Sequence, residues 1–89
     1  MFASKREARR WGELRLMEMA GAIQDLRRQV RYRLDVDGLH VCDYIADFRY
    51  ISEPGQAEVV EDCKGFRTRE YVLKRKLMKA IHGIDILET

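Results

Sequence analysis

The chain has 89 residues, 46% hydrophobic and 36% charged, with 17 Lys or Arg against 15 Asp or Glu and a formal net charge of +2. That length carries one modest core and excludes a second, and the balance is that of a globular chain rather than a disordered one. No run approaches the roughly 20 apolar residues that span a bilayer, and MFASKREARRW lacks the apolar core of a secretory signal, so one soluble, intracellular domain over residues 1–89 is expected.

Ser4-Lys5-Arg6-Glu7 has the S-x-x-E form of a capping box, which predicts a helix from near Ser4 to Ala20 with Gly21 as its left-handed stop. Phe2 is expected to pack back onto that helix. After a polar link through Gln24 and Arg28, two strands flank Asp37-Gly38, a dipeptide that tolerates the positive φ of a tight hairpin. In the second strand Cys42, Tyr44, Ala46, Phe48 and Tyr50 alternate with Val41, Asp43, Ile45, Asp47 and Arg49. Period two therefore sends the first set to the main core and Asp47 to the other face, beside Ile45. Cys42 and Cys63 have no C-x-x-C spacing, so a zinc site or disulfide framework is not expected and buried free thiols are.

Pro54-Gly55 predicts a turn, residues 58 to 64 (EVVEDCK) a third strand, and Gly65 its end. Here Val60, Asp62 and Lys64 share one face, and Val59, Glu61 and Cys63 the other, with Glu61 expected as a solvated or edge-strand charge. Thr68 is the predicted N-cap of a second helix over Tyr71 to Ile81, with Leu73, Leu77, Ala80 and Ile81 as its apolar stripe and Lys74, Arg75, Lys76 and Lys79 around the remainder. Gly83 stops it, and Ile84 to Leu87 is short enough for a last strand. The order αβββαβ makes this a small α/β chain of the α+β type, with a mixed sheet.

Charge is uneven along the chain. Residues 1–33 carry nine bases against four acids, residues 34–63 eight acids against Arg49, and residues 64–79 seven bases against Glu70. An acidic centre between basic flanks suits carboxylates that hold a cation within a surface that attracts a polyanion, and equally an ordinary solvated surface. A strand that opens Val59-Val60 and then carries Glu61, Asp62 and Lys64 needs compensation, because an unpaired buried charge is costly. Taken as residues alone, Asp62, Lys64 and Asp47 fit a metal-free cross-strand ion-pair cluster better than a catalytic one, because ion pairs of this kind are commonplace. His40 and His82 are separated, and neither is assigned a role.

The αβββαβ order with an Asp late in the second strand and D-x-K in the third resembles the PD-(D/E)XK nuclease fold, the restriction-endonuclease-like architecture. FASKREARRW, GAIQDLRRQ, YIADF and VVEDCKGFRTREY, covering nearly the whole chain, look like a small phage-associated family of that superfamily, uncharacterised in function and similar to Holliday-junction resolvases. The resemblance implies a metal-dependent endonuclease acting on DNA in the cytoplasm of a bacterial host, with a homodimer among its expected assemblies. It implies Asp47, Asp62 and the backbone carbonyl of Cys63 as ligands of Mg2+ or Mn2+, and Lys64 as the residue that orients water or stabilises the transition state. Glu7 fits both a capping role and that of a further metal-shell acid. Arg67, Arg69, Tyr71 and Lys74 are expected to contact phosphates, or else to form a core-edge tyrosine and a solvated basic face. Ala46 stands where the nominal Pro of the motif falls. Family members often carry residues ahead of the segment matching Phe2, and a strand lost there is expected to affect dimer formation or grip on substrate. The alternative to catalysis is a module of the same fold that binds DNA or a phage protein.

Overall fold

The computed structural model describes residue 2 and residues 4–52, 57–64 and 66–89. The chain runs α1 (Lys5–Met19), β1 (Ile23–Val36), β2 (Leu39–Ser52), β3 (Ala57–Asp62), α2 (Arg69–His82) and β4 (Leu87–Glu88). This is the αβββαβ order read from the sequence. One mixed sheet holds the strands in the order β1-β2-β3-β4, antiparallel except for the parallel β3–β4 pair. The turn expected at Pro54-Gly55 and the stop at Gly65 lie outside the described residues.

Local chemistry sets the element ends. The Ser4 hydroxyl accepts the Glu7 N–H at 3.1 Å, and the Thr68 hydroxyl accepts the Tyr71 N–H at 3.0 Å, each satisfying an otherwise unpaired donor in a helix's first turn. Gly21, at φ +81°, closes α1 with Gly21 N–H to Glu18 O and Ala22 N–H to Met17 O, the paired bonds of a Schellman stop. Asp37 and Gly38 both take positive φ, as the two-residue hairpin turn requires. Phe2 packs onto Trp11 with ring centroids 6.3 Å apart. Both cysteines are free thiols, half-buried rather than fully enclosed. Among the described residues no helix is long and apolar enough to cross a membrane.

The alternation of β2 is correct in burial but serves two cores. Tyr44 and Ala46 pack with Leu34, Val60, Tyr71 and Met78, whereas Phe48 and Tyr50 pack with Leu14 and Ile23. In β3 the successive residues Val59 and Val60 join different clusters, so these lie on opposite faces of the sheet, α1 covering one and α2 the other. β2 therefore changes phase between Ala46 and Phe48. β1 changes with it, between Arg28 opposite Phe48 and Tyr32 opposite Tyr44. Gln29, at φ +53°, and Asp47 sit at this change of face. A left-handed non-glycine residue costs about 1–2 kcal/mol.

Other expectations need correction. The segment from Gln24 to Arg28 is part of β1, with an irregular register between Gln24 and Arg27, because Asp25 at φ +55° absorbs an extra residue without ending the strand. The buried face of α2 centres on Tyr71 and Met78, with Val72, Leu77 and Ile81 beside them, while Leu73 and Ala80 are exposed. The helix is rotated because Tyr71 and Met78, seven residues apart, take the core positions. The last strand is reduced to Leu87–Glu88, since Ile84 and Ile86 pack on the α2-side core before pairing begins.

Glu61 is neither solvated nor on an edge. It is 0% exposed, because β4 continues the sheet beyond it and α1 covers its face. Both its oxygens accept from Arg10 (Nε and Nη2, 2.8 Å each), and the Tyr50 hydroxyl donates to it as well. Burial, then Glu61, pushes the Tyr50 phenol up to about 12. Removing one partner of such a pair strands a buried charge. Arg10→Ala is therefore expected to lower the unfolding free energy by about 3 kcal/mol in urea titration; a loss under about 1 kcal/mol would rank the pair with surface bridges.

Candidate functional site

Asp47 owes its position to the change of face in β2. Its Oδ2 accepts the Cys63 N–H at 2.9 Å, which fixes the carboxylate over the chain just past β3. Asp62, the last residue of β3, is 2% exposed. Its Oδ2 accepts the Tyr44 hydroxyl, its Oδ1 lies 3.1 Å from Lys64 Nζ, and the Asp47 carboxyl is within hydrogen-bonding reach. The Lys64 ammonium also sits 4.4 Å from the centroid of the Tyr71 ring, a cation–π contact that holds it at the site. The end of β3 is tied down on both sides, by Thr89 N–H to Asp62 O at 3.0 Å and by Arg6 Nη1 to Lys64 O at 2.7 Å.

Glu7 enters from α1. Although it lies at the third helical position, its carboxylate reaches β1, with Oε2 at 3.4 Å from Gln29 Nε2 and 3.5 Å from Arg28 Nη2. Gln29 Nε2 is in turn 3.5 Å from Asp47 Oδ1. Glu7, Gln29, Asp47, Asp62 and Lys64 thus form one run of polar groups drawn from α1, β1, β2 and the end of β3. Among the described residues no group of three His, Cys, Asp or Glu side chains is gathered closely enough to hold a metal ion. Asp47 and Asp62 are the neighbouring acids of this group, and Glu7 stands behind Gln29.

Asp62 is buried and pairs with Lys64, while Asp47 stands half-buried beside it, so ionising both leaves negative charge that one ammonium only partly offsets. Burial pushes the Asp62 carboxyl upward, and Asp47 adds to the shift, while the Tyr44 hydroxyl and Lys64 hold part of it back. The Tyr44 phenol is raised by its own burial and then by Asp62. Hard carboxylate oxygens with an unbalanced negative charge fit a divalent cation such as Mg2+ or Mn2+, which accepts water for its remaining positions. Cys63 is held against Asp47 by its N–H, so its carbonyl belongs to the same neighbourhood.

A cleft of about 270 Å³ opens beside Asp62 and Lys64, between β2 and α2. Tyr44, Ile45, Asp62, Lys64, Tyr71 and Lys74 line it, with the acids Asp43 and Glu70 at its margin. The four residues expected to contact phosphate are divided by the fold. Tyr71 and Lys74 face the cleft, where Lys74 pairs with Glu70 at 3.0 Å. The Tyr71 hydroxyl donates to Glu88 at 2.7 Å, and Arg67 and Arg75 pair with the same carboxylate. Arg69 lies on a separate groove of about 300 Å³ along α2, with Arg67, Val72, Leu73 and Lys76. His40 lies between Asp35 and Asp43, and His82 Nε2 contacts the Arg33 carbonyl.

Sequence reasoning missed Tyr44 and Gln29. Tyr44 was legible in principle, since it shares a face with Ala46 and stands two positions further toward the hairpin. Gln29 gives no signal, because nothing in its residue type announces a left-handed conformation.

Fold and site define a small α+β domain with two neighbouring carboxyls and a lysine at one end of a mixed sheet. The chain belongs to the family described as Protein of unknown function (DUF1064), whose model matches residues 1–84 and so includes every residue of this centre. No curated protein and no solved structure matches the chain.

The displaced Asp62 carboxyl gives a signed pH dependence. It titrates at about 6 in the fold against 3.8 for the ordinary group, so between those values the folded state holds the extra proton. Its stabilising contribution is complete below the lower value and lost as pH rises through the upper one. Asp62→Asn stays neutral throughout, so in the absence of metal its thermal midpoint should exceed the parent's near neutral pH, and the gap should close toward pH 4. A gap that widens on acidification would contradict the sign.

Proposed function

We propose that this chain is a metal-dependent DNA endonuclease of the PD-(D/E)XK kind, hydrolysing phosphodiester bonds, those of branched phage DNA included, in the cytoplasm of a bacterial host. The observation that carries this reading is the meeting of Asp47, Asp62 and Lys64 at the end of β3, with Asp47 neighbouring Asp62, the Lys64 ammonium 3.1 Å from Asp62, and the Asp62–Lys64 pair lining the cleft. Asp47, Asp62 and the Cys63 carbonyl would hold Mg2+ or Mn2+, with Glu7 behind them. The ion supplies positive charge to the phosphodiester and acidity to its water.

The remaining work falls to the chain itself. Lys64, restrained by Asp62 and the Tyr71 ring, presents its ammonium to charge that develops on the phosphate oxygens in the transition state. Lys74, on the opposite wall, contacts a neighbouring phosphate by exchanging Glu70 for it. Arg67 and Tyr71 do the same with Glu88, and Arg69 meets the backbone further along α2. Tyr44 keeps Asp62 turned toward Asp47.

One observation favours a second reading, a non-catalytic module that binds DNA or a phage protein. The groove along α2 has an apolar component in Val72 and Leu73, the latter 58% exposed, and a basic one in Arg67, Arg69 and Lys76.

Incubation with single-stranded, duplex, flapped and four-way DNA in Mg2+, Mn2+ or chelator separates the two. Metal-dependent cleavage of at least one substrate is expected; binding without cleavage of any would leave the second reading. Lys64→Ala is expected to lower turnover by about 100-fold or more while leaving DNA affinity within a few-fold. Lys74→Ala should instead weaken binding and reduce the salt slope by about one unit. If Lys64→Ala loses affinity and keeps its rate at saturating DNA, the two assignments exchange.

A further inference from the structure

We infer that Gln29 is a positioning residue that ties Glu7 to Asp47, so that the acid on α1 and the acid on β2 address the same cation. This rests on the nuclease reading and adds to it a residue outside the D-x-K pattern.

Among the described residues three non-glycines have positive φ: Asp25, Gln29 and Asp37. For the two aspartates the conformation is unremarked, since a short polar side chain bonds locally and tolerates it. Asp37 forms the hairpin turn, and Asp25 sits in the irregular register near the start of β1. Glutamine has no such dispensation. Backbone strain that persists points toward a function at that position, and the side chain says what the function is.

The conformation at Gln29 lets Arg28 and Val30 serve opposite faces of the sheet, and it leaves the amide between two carboxylates from different elements. The Nε2 group lies 3.4 Å from Glu7 Oε2 and 3.5 Å from Asp47 Oδ1. A primary amide nitrogen carries two N–H donors, one for each carboxylate, whereas ionised carboxylates only accept, which fixes which end of the amide faces them. Arginine or lysine here would neutralise the acids. The amide orients them without adding charge of its own, beside the Arg28 guanidinium that already pairs with Glu7 at 3.5 Å. With Oδ1 facing Gln29 and Oδ2 accepting the Cys63 N–H, Asp47 is held at both oxygens. Partners of this kind fix the direction of metal-binding carboxylates, and their loss typically weakens metal binding by about 10- to 100-fold.

Gln29→Gly removes the amide and accepts positive φ without strain, so it separates positioning from folding. Calorimetric Mn2+ titration of the parent, Gln29→Gly, Glu7→Gln and the double variant is the test, with thermal midpoints measured without metal. Gln29→Gly is expected to keep or raise the midpoint while its Mn2+ dissociation constant rises about tenfold. The double variant should bind no more weakly than the weaker single variant, because both changes cut one connection. Parental Mn2+ affinity in Gln29→Gly would overturn the inference and leave the nuclease reading standing. So would additive losses in the double variant, or a midpoint lowered by several degrees, which would make Gln29 a folding residue. A parent that binds no Mn2+ would overturn both.

Discussion

Glu61 and Asp62 are consecutive in β3, both buried, and therefore directed to opposite faces of the sheet. A carboxylate removed from water needs partners, and no single element can supply both of these. Arg10 of α1 and Tyr50 answer Glu61 on one side, while Tyr44, Lys64 and the neighbouring Asp47 surround Asp62 on the other. Docking of α1, the phase of β2 and the exit from β3 are thereby set around two adjacent residues. A sheet with apolar residues at those positions would tolerate several placements of α1; this one penalises every placement that leaves Glu61 without Arg10.

The two acids also show how one strand runs two kinds of chemistry. Glu61 meets a bidentate guanidinium and a phenol, so its charge is matched and its geometry closed. Asp62 meets one ammonium and one phenol but also a second carboxyl, and it borders a cleft. Burial is similar for both, and the difference lies in the partners. Matched charge yields a structural pair, whereas surplus negative charge beside an opening yields a group able to take up a proton or a cation.

The parts legible in the sequence are those decided within a few residues. Ser4, Thr68, Gly21, Gly83 and Asp37-Gly38 place every helix end and the hairpin turn, because caps and positive-φ turns depend on local backbone groups. Asp47, Asp62 and Lys64 were visible through the D-x-K pattern and the Asp late in β2, although the third strand stops at Asp62 rather than running to Lys64. What escaped was decided at a distance. Glu61 looked solvated because its partner lies 51 residues earlier in the chain. The single face assigned to β2 ignored a conformational break that is paired across two strands, and a period-two count has no means of registering it. The rotation of α2 follows from which large residue, Tyr71 or Leu73, meets the sheet.

The short β4 has a practical side. Thr89 donates its N–H to the Asp62 carbonyl, and its hydroxyl lies 3.3 Å from Cys63 Sγ, so Thr89 is packed against the strand end that carries the acids. Chain that continues past Thr89 leaves from beside the centre, where its bulk would crowd the two carboxyls. The tip of the hairpin at Asp37 and Gly38 is exposed and lies far along the strands from Asp47. An affinity label, a fluorophore or a surface tether is better carried there, where the molecule offers an attachment point that leaves both carboxyls undisturbed.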